Sequence, residues 1–324
     1  MGTQPGTISC GITIHAVLMG RRITLNGFGG ERSLKVIYKG DFMRLPASID
    51  LIRLHNCMLA GIAVLVGMIV AVASRNIILY QAAFAFAVAV LVCAGGNATN
   101  DYYDREIDRI NRPERPIPSG RLKARDALLI GGVLFTIGIL LSILLGVPCI
   151  ILAVVNSVVL AFYAAHLKRL GIVGNLIVGY LVGSTFLFGG LAATNARELQ
   201  ALGVLSAMAA VSTVGRELIK DIEDMKGDSK IGLKTFPLSY GPRAAAALAI
   251  VFIAAAIVLS PVPYLLDLFG GLYLTLVMIS VIIFIGAAII MARDQKPQVA
   301  GRASFACKVG MGIGLIAFLV GAII

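Results

Sequence analysis

Nine apolar runs, each about as long as a bilayer is thick, limit this chain's fold more than any other feature. They fall at about 56–73, 77–99, 127–145, 148–165, 172–194, 199–218, 243–260, 269–291 and 304–324. A helix rises 1.5 Å per residue, so roughly 20 apolar residues cross about 30 Å of hydrocarbon. Only helices and closed barrels satisfy all their backbone polar groups there, and continuous apolar runs without alternation select helices. The expected fold is therefore all-α, a polytopic membrane protein with a bundle of about nine transmembrane helices over residues 43–324. The composition agrees, with 58% hydrophobic and 14% charged residues among 324. The divisions at 146–148 and 195–198 rest on the short interruptions GVP and NARE.

A net charge of +11 might point to nucleic acid, but the distribution of that charge argues against it. With the runs numbered in order, seven Lys/Arg precede the first, and nineteen more fall in the connections 2–3, 4–5, 6–7 and 8–9 or, for Arg216, Arg243 and Lys308, at the run ends that border them. Only Arg75 and Arg197 remain for the connections on the other side. This imbalance follows the positive-inside rule, giving a cytoplasmic N-terminus and an external C-terminus. The basic excess is a topology signal, and part of it suits anionic headgroups or phosphates. Residues 1–42 read differently: polar, glycine-bearing, too weakly apolar to span, and without a convincing signal-peptide cleavage region. They are expected to be a poorly ordered or non-native N-terminal extension. The five cysteines are scattered without a CxxC, and read as small buried hydrophobes.

Eleven of the seventeen acidic residues fall in two segments, 101–126 and 217–228, four runs apart and on one side of the membrane. At 100° per residue, Asn97, Asn100, Asp104 and Asp108 form one stripe, the last three within about 80° of arc and rising about 12 Å. Glu217, Asp221, Asp224 and Asp228 form another, within about 60°. Glu106 and Glu223 point away from their stripes, and Asp101 lies at the edge of the first. A solvated helix end is the bland reading of one such run; two runs, each phased to a single face, favour a shared cation. Like charges at i,i+4 repel, and the penalty grows near a membrane. Hard oxygen ligands without His or Cys suit Mg²⁺ or Ca²⁺, and Mg²⁺ commonly completes its shell from substrate phosphate. Nearby cations fit that picture: Arg53 before the first run, Arg112, Arg115 and Arg121 in the stiff RPERPIPSGR loop, Lys168 and Arg169 closing the fourth run, and Lys220 inside the second stripe.

These residues resemble a known family. NDYYDREID, Asn100 to Asp108, matches the NDxxDxxxD motif, and KDIEDMKGD, Lys220 to Asp228, matches KDxxDxxGD, of the UbiA superfamily of intramembrane prenyltransferases. The RPERPIPSGRL loop is similar to the one that follows the first motif there. The likeness covers about residues 43 to 324. Three further stretches, LIRLHNC at 51–57, HLKRLGIVGNLIVGYLVGSTFLFGGLA at 166–192 and GRELIKDIEDMKGDSKIGLKTFPLSYG at 215–241, are similar to the branch serving archaeal ether lipids. Residues 1–42 have no counterpart.

The resemblance implies transfer of a geranylgeranyl group from its diphosphate to the hydroxyl of geranylgeranylglyceryl phosphate. It implies an isoprenyl diphosphate and a lipid-phosphate acceptor as partners, with membrane lipids, no nucleic acid and no obligate protein partner. It implies Mg²⁺ on Asn100, Asp101, Asp104, Asp108, Asp221, Asp224 and Asp228, with Asp101 in an outer shell. Asp104, Asp108, Asp221, Asp224 and Lys220 are the expected catalytic residues. Substrate binding is expected of Arg53, Asn56, Asn97, Arg115, Tyr163, Lys168, Arg169 and Lys220. Tyr102, Tyr103, Phe186 and Phe188, with Tyr163, are candidates for stabilising an allylic cation. Two alternatives share the residues: an aromatic-acceptor prenyltransferase of quinone, haem or chlorophyll pathways, and a cation transporter. A transporter would place its carboxylates near the midplane rather than at the helix ends.

Overall fold

The structure, a computed structural model, describes residues 13–18, 21–26, 37–38, 46–72, 77–193, 196, 199–230 and 232–324, without the side chains of 13–38, Asn111 and Arg169. Contacts divide the chain into two units, Met1–Pro46 and Ala47–Ile324. In the first, β1 (Thr13–Leu18) pairs antiparallel with β2 (Arg21–Asn26), Thr13 opposite Asn26. β2 pairs antiparallel with β3 (Ile37–Tyr38). β-Branched Thr13, Ile14, Val17, Ile23 and Thr24 suit these strands. The rest of the expected N-terminal extension lies outside the described residues.

The second unit is helical. A short α1 (Ala47–Ile52) ends at Arg53, whose φ of 52° is left-handed, an uncommon conformation for a residue with a side chain. α2 (Leu54–Val72) follows, then α3 (Leu79–Tyr103) and α4 (Arg105–Asn111). After a proline-bearing loop come α5 (Ala124–Ser142), α6 (Val147–Ala165), α7 (Ile172–Ala192) and α8 (Leu199–Lys230). The chain finishes with α9 (Phe236–Tyr240), α10 (Pro242–Leu259), α11 (Val262–Leu265), α12 (Gly271–Arg293) and α13 (Pro297–Ile323). Among the described residues, nine helices are long and apolar enough to span a bilayer. They match the nine runs read from the sequence. Leu129, Val133 and Leu140 of α5, each more than half exposed, show where lipid rather than water meets the bundle.

Packing is closest between α2 and α7. A Cβ placed on Gly189 would lie 1.9 Å from the Val64 carbonyl oxygen, and one on Gly67 would lie 2.1 Å from that of Phe186. The two backbones touch reciprocally, as only glycine allows; such contacts suit membranes, where hydrocarbon gives helices no hydrophobic reason to associate. α7 also packs on α8, α3 on α5, and α12 on α13. At 32 residues α8 is about 48 Å long, so its C-terminal third outruns the hydrocarbon and carries Asp221, Asp224 and Asp228 beyond it.

Candidate active site

The first acidic stripe straddles a helix boundary. α3 stops at Tyr103 and Asp104 takes φ −83°, ψ 0°, yet Asp104 N still donates to Asn100 O (2.9 Å) and Asp108 N to Asp104 O (2.8 Å). These two bonds carry the chain across the break, and Asn97, Asn100, Asp104 and Asp108 all line one wall. That wall and the α8 extension enclose a polar cavity of about 420 Å³. Arg53, Asn97, Asn100, Asp104, Asp108, Arg115, Tyr163, Lys168, Lys220, Asp221, Asp224 and Asp228 all line it.

Two expected residues are not on this wall, and the side chain of a third is not described. Asp101, expected among the metal ligands, turns away from the cavity toward Arg53, with which it forms a short ion pair, and toward Arg115 Nη1 at 3.3 Å. The single-residue step from Asn100 rotates it about 100° off the stripe, and two guanidiniums converge on its Oδ1. Asn56, expected to bind substrate, lines a separate apolar cavity. The side chain of Arg169 lies outside the described residues.

The carboxylates of the first motif are buried and held. Asp104 Oδ2 accepts from Lys168 Nζ (2.6 Å) and from Asn100 Nδ2 (2.8 Å), and Asp108 is paired with Arg115. Asp101, Asp104 and Asp108 are each at most 7% exposed. The loop carrying Arg115 is pinned in turn: Arg121 Nη2 reaches Asp50 Oδ2 (2.6 Å) and Glu114 O (2.8 Å), and Ser119 Oγ donates to Arg115 O (2.6 Å). In the second motif, Asp221 Oδ2 accepts from Asn175 Nδ2 of α7 (2.9 Å). Among the described residues Asp221, Asp224 and Asp228 form no ion pair, and Asp224 is exposed. Glu217, also on the cavity wall, is paired with Arg216.

Asn175 and Thr235 also line the cavity and were not singled out in the sequence. Asn175 had a signal, a lone amide in the first turn of an apolar helix; Thr235 had none.

The apolar cavity, about 370 Å³, lies between α2, α3, α6 and α7 and is walled by Val64, Val92, Leu181, Phe186 and Phe188 among others. Cys93 and Leu160 line both cavities, so the two abut. Of the aromatic candidates, Tyr163 faces the polar cavity and Phe186 and Phe188 the apolar one, whereas Tyr102 lies under the Arg105 guanidinium at 4.6 Å.

No three acidic side chains among the described residues converge closely enough to enclose an ion alone. The donor set still suits a hard cation: two facing groups of carboxylate and amide oxygens that leave coordination positions for phosphate.

The sequence profile of the UbiA prenyltransferase family matches residues 60–309. The chain belongs to that family. UbiA relatives include the digeranylgeranylglyceryl phosphate synthase of Methanopyrus kandleri, 41% identical over 275 residues, which are 85% of this chain and 98% of that protein. The enzyme of that name from Methanothrix thermoacetophila is 43% identical over 276 residues, 84% of this chain and 98% of its own. A solved structure, described as "Structural and mechanistic insights into the biosynthesis of Digeranylgeranylglyceryl phosphate synthase in membranes", superposes with a TM-score of 0.77 at 38% identity, covering 87% of this chain and 99% of its own. A UbiA homolog from Archaeoglobus fulgidus bound to DMAPP and Mg²⁺ shares the fold, with TM-score 0.66 and 16% identity over 84% of this chain and 99% of its own. This protein is thus a multi-pass membrane prenyltransferase, and the transporter reading falls away.

Proposed function

We propose that this prenyltransferase moves a geranylgeranyl group from geranylgeranyl diphosphate to the free hydroxyl of geranylgeranylglyceryl phosphate. The observation that carries prenyl transfer is the abutment of a cavity lined by carboxylates and cations with an apolar cavity, across Cys93 and Leu160. One substrate with a charged head and an isoprenoid tail fits both. Near-full-length identity of 41% and 43% to two digeranylgeranylglyceryl phosphate synthases supports the choice of acceptor.

Asn100, Asp104 and Asp108 on one wall and Asp221, Asp224 and Asp228 on the other would hold Mg²⁺. Bound Mg²⁺ would supply Lewis-acid neutralisation of the diphosphate. Lys220 and Arg115 add positive charge where the leaving group's charge develops as the C1–O bond breaks and its electron pair departs with diphosphate. The apolar walls keep water from the allylic cation, and the Tyr163 ring on the wall of the polar cavity stabilises it. The acceptor oxygen then bonds to C1, and its proton passes to a lining carboxylate or to the departing diphosphate. Arg53 and Lys168 meet the acceptor's phosphate. The orientation that supports this chemistry puts the polar cavity and N-terminus on the cytoplasmic side and the C-terminus outside.

The deciding test is purified protein with geranylgeranyl diphosphate, Mg²⁺ and alternative acceptors. Ether product with geranylgeranylglyceryl phosphate, lost on adding EDTA, is the expected result. Transfer only to a phenolic or quinone precursor would overturn the choice of acceptor.

A further inference from the structure

At the boundary between the two cavities lies a pair of thiols that prenyl transfer does not use. Cys57, in the first turn of α2, is fully buried, and Cys93, on α3, belongs to both cavity walls. The side chains are 36 residues apart in sequence and meet across the helix interface. The amide nitrogen of Asn97 lies 3.6 Å from Cys57 Sγ and 3.8 Å from Cys93 Sγ, so one amide bridges the two thiols. Asn97 Nδ2 also donates to the Ile52 carbonyl (2.8 Å), to which Cys57 Sγ donates at 3.1 Å. Both sulfurs are therefore held together around one amide, next to the left-handed Arg53. Among the described residues, the other two cysteines, Cys149 and Cys307, are free and buried. Neither lines either of these two cavities.

We infer that Cys57 and Cys93 form an oxidisable dithiol, and that closing it to a disulfide displaces Asn97 from the wall of the polar cavity where that cavity meets the apolar one. The two thiols give up two protons and two electrons to a small oxidant of the peroxide class, which is reduced to two waters, and an S–S bond forms. Access is through Cys93, since Cys57 is sealed behind it. The reaction requires one sulfur to attack the other after oxidation, and two thiols gathered around one amide are placed for that attack. The bond would tie α2 to α3 where an isoprenoid chain must run from the Asp-lined cavity past Cys93 and Leu160. It would also disturb Asn97, whose amide is shared between the two sulfurs and the α1 terminus.

The effect on turnover rests on the proposed prenyl transfer, so the experiment has a readout that does not. Protein in detergent is treated with hydrogen peroxide, and the Cys57–Cys93 peptide pair is sought by mass spectrometry. Binding of geranylgeranyl diphosphate is followed by thermal shift, and turnover with geranylgeranylglyceryl phosphate is measured alongside. The expected result is a disulfide between these two residues, at least tenfold weaker binding and slower turnover, all reversed by dithiothreitol. Cys57→Ser should keep the basal activity and lose the sensitivity to peroxide; Cys93→Ala should likewise block the disulfide should the serine variant fold poorly. Failure to form the bond, or a disulfide that leaves prenyl diphosphate binding unchanged, would overturn the inference. Wild-type protein that binds the diphosphate but does not alkylate this acceptor would instead count against the proposed acceptor alone.

Discussion

The two acidic motifs face each other across one cavity but carry their charge in opposite ways. Around Asp101, Asp104 and Asp108 every buried carboxylate has a cation against it: Arg53, Lys168 or Arg115. Around Asp221, Asp224 and Asp228 none does among the described residues, and the one polar neighbour held at hydrogen-bond distance is neutral Asn175. The first wall is preassembled by direct ion pairs, whereas the second, on a helix end that outruns the membrane, has only the more distant charges of Lys220 and Lys168. Positive charge brought in with the substrate's diphosphate therefore has most to gain at the second wall.

Four measurements would break or sharpen that contrast. The largest effect is on catalysis: Asp104→Ala and Asp224→Ala should each lower turnover by roughly a thousandfold or more while the protein stays folded in detergent, as expected for groups acting on developing charge. Substantial activity in either variant would mean that the walls do not act together. Next comes stability. Asp101→Asn strands Arg53 and Arg115 in a partly buried site and should cost about 1–3 kcal/mol, seen as a lower Tm with or without Mg²⁺. An unchanged Tm would show that the first wall is not held by these pairs. Asn175→Ala should raise the Mg²⁺ concentration for half-maximal activity by about tenfold with a smaller change in maximal rate, because losing one hydrogen bond frees Asp221 to swing. A change in maximal rate alone would place Asn175 elsewhere in the chemistry. The smallest effect separates the walls most cleanly: without Mg²⁺, Asp224→Asn should stabilise the protein by a few tenths of a kcal/mol through relief of like-charge repulsion. A loss of stability instead would show that the second wall is compensated after all.

Much of the bundle was legible in the sequence because length and hydropathy act locally. Each of the nine runs is long enough to declare itself a span, and the phase of Asn100, Asp104 and Asp108 survives the irregular residue at Asp104. What escaped depends on contacts distant in sequence. Nothing near Asp101 announces that Arg53, 48 residues earlier, will turn left-handed and pair with it. Asn56 was grouped with its neighbour Arg53, yet the break between α1 and α2 sends the two side chains to different cavities. The strands at Thr13–Leu18 and Arg21–Asn26, six residues each, are too short to stand out beside spans of about 20 residues.

The glycine contacts between α2 and α7 also bear on how the protein responds to its surroundings. Where Gly67 and Gly189 lie on the opposite main chain, spacing is set by atoms that no rotamer change can move. α2 and α7 both line the apolar cavity, α2 with Ala63 and Val64 and α7 with Phe186 and Phe188, so this seam acts as a fixed ruler for that cavity. A thicker or thinner bilayer can tilt the outer helices, with their exposed leucines and valines, while the width of the tail cavity at the seam stays the same.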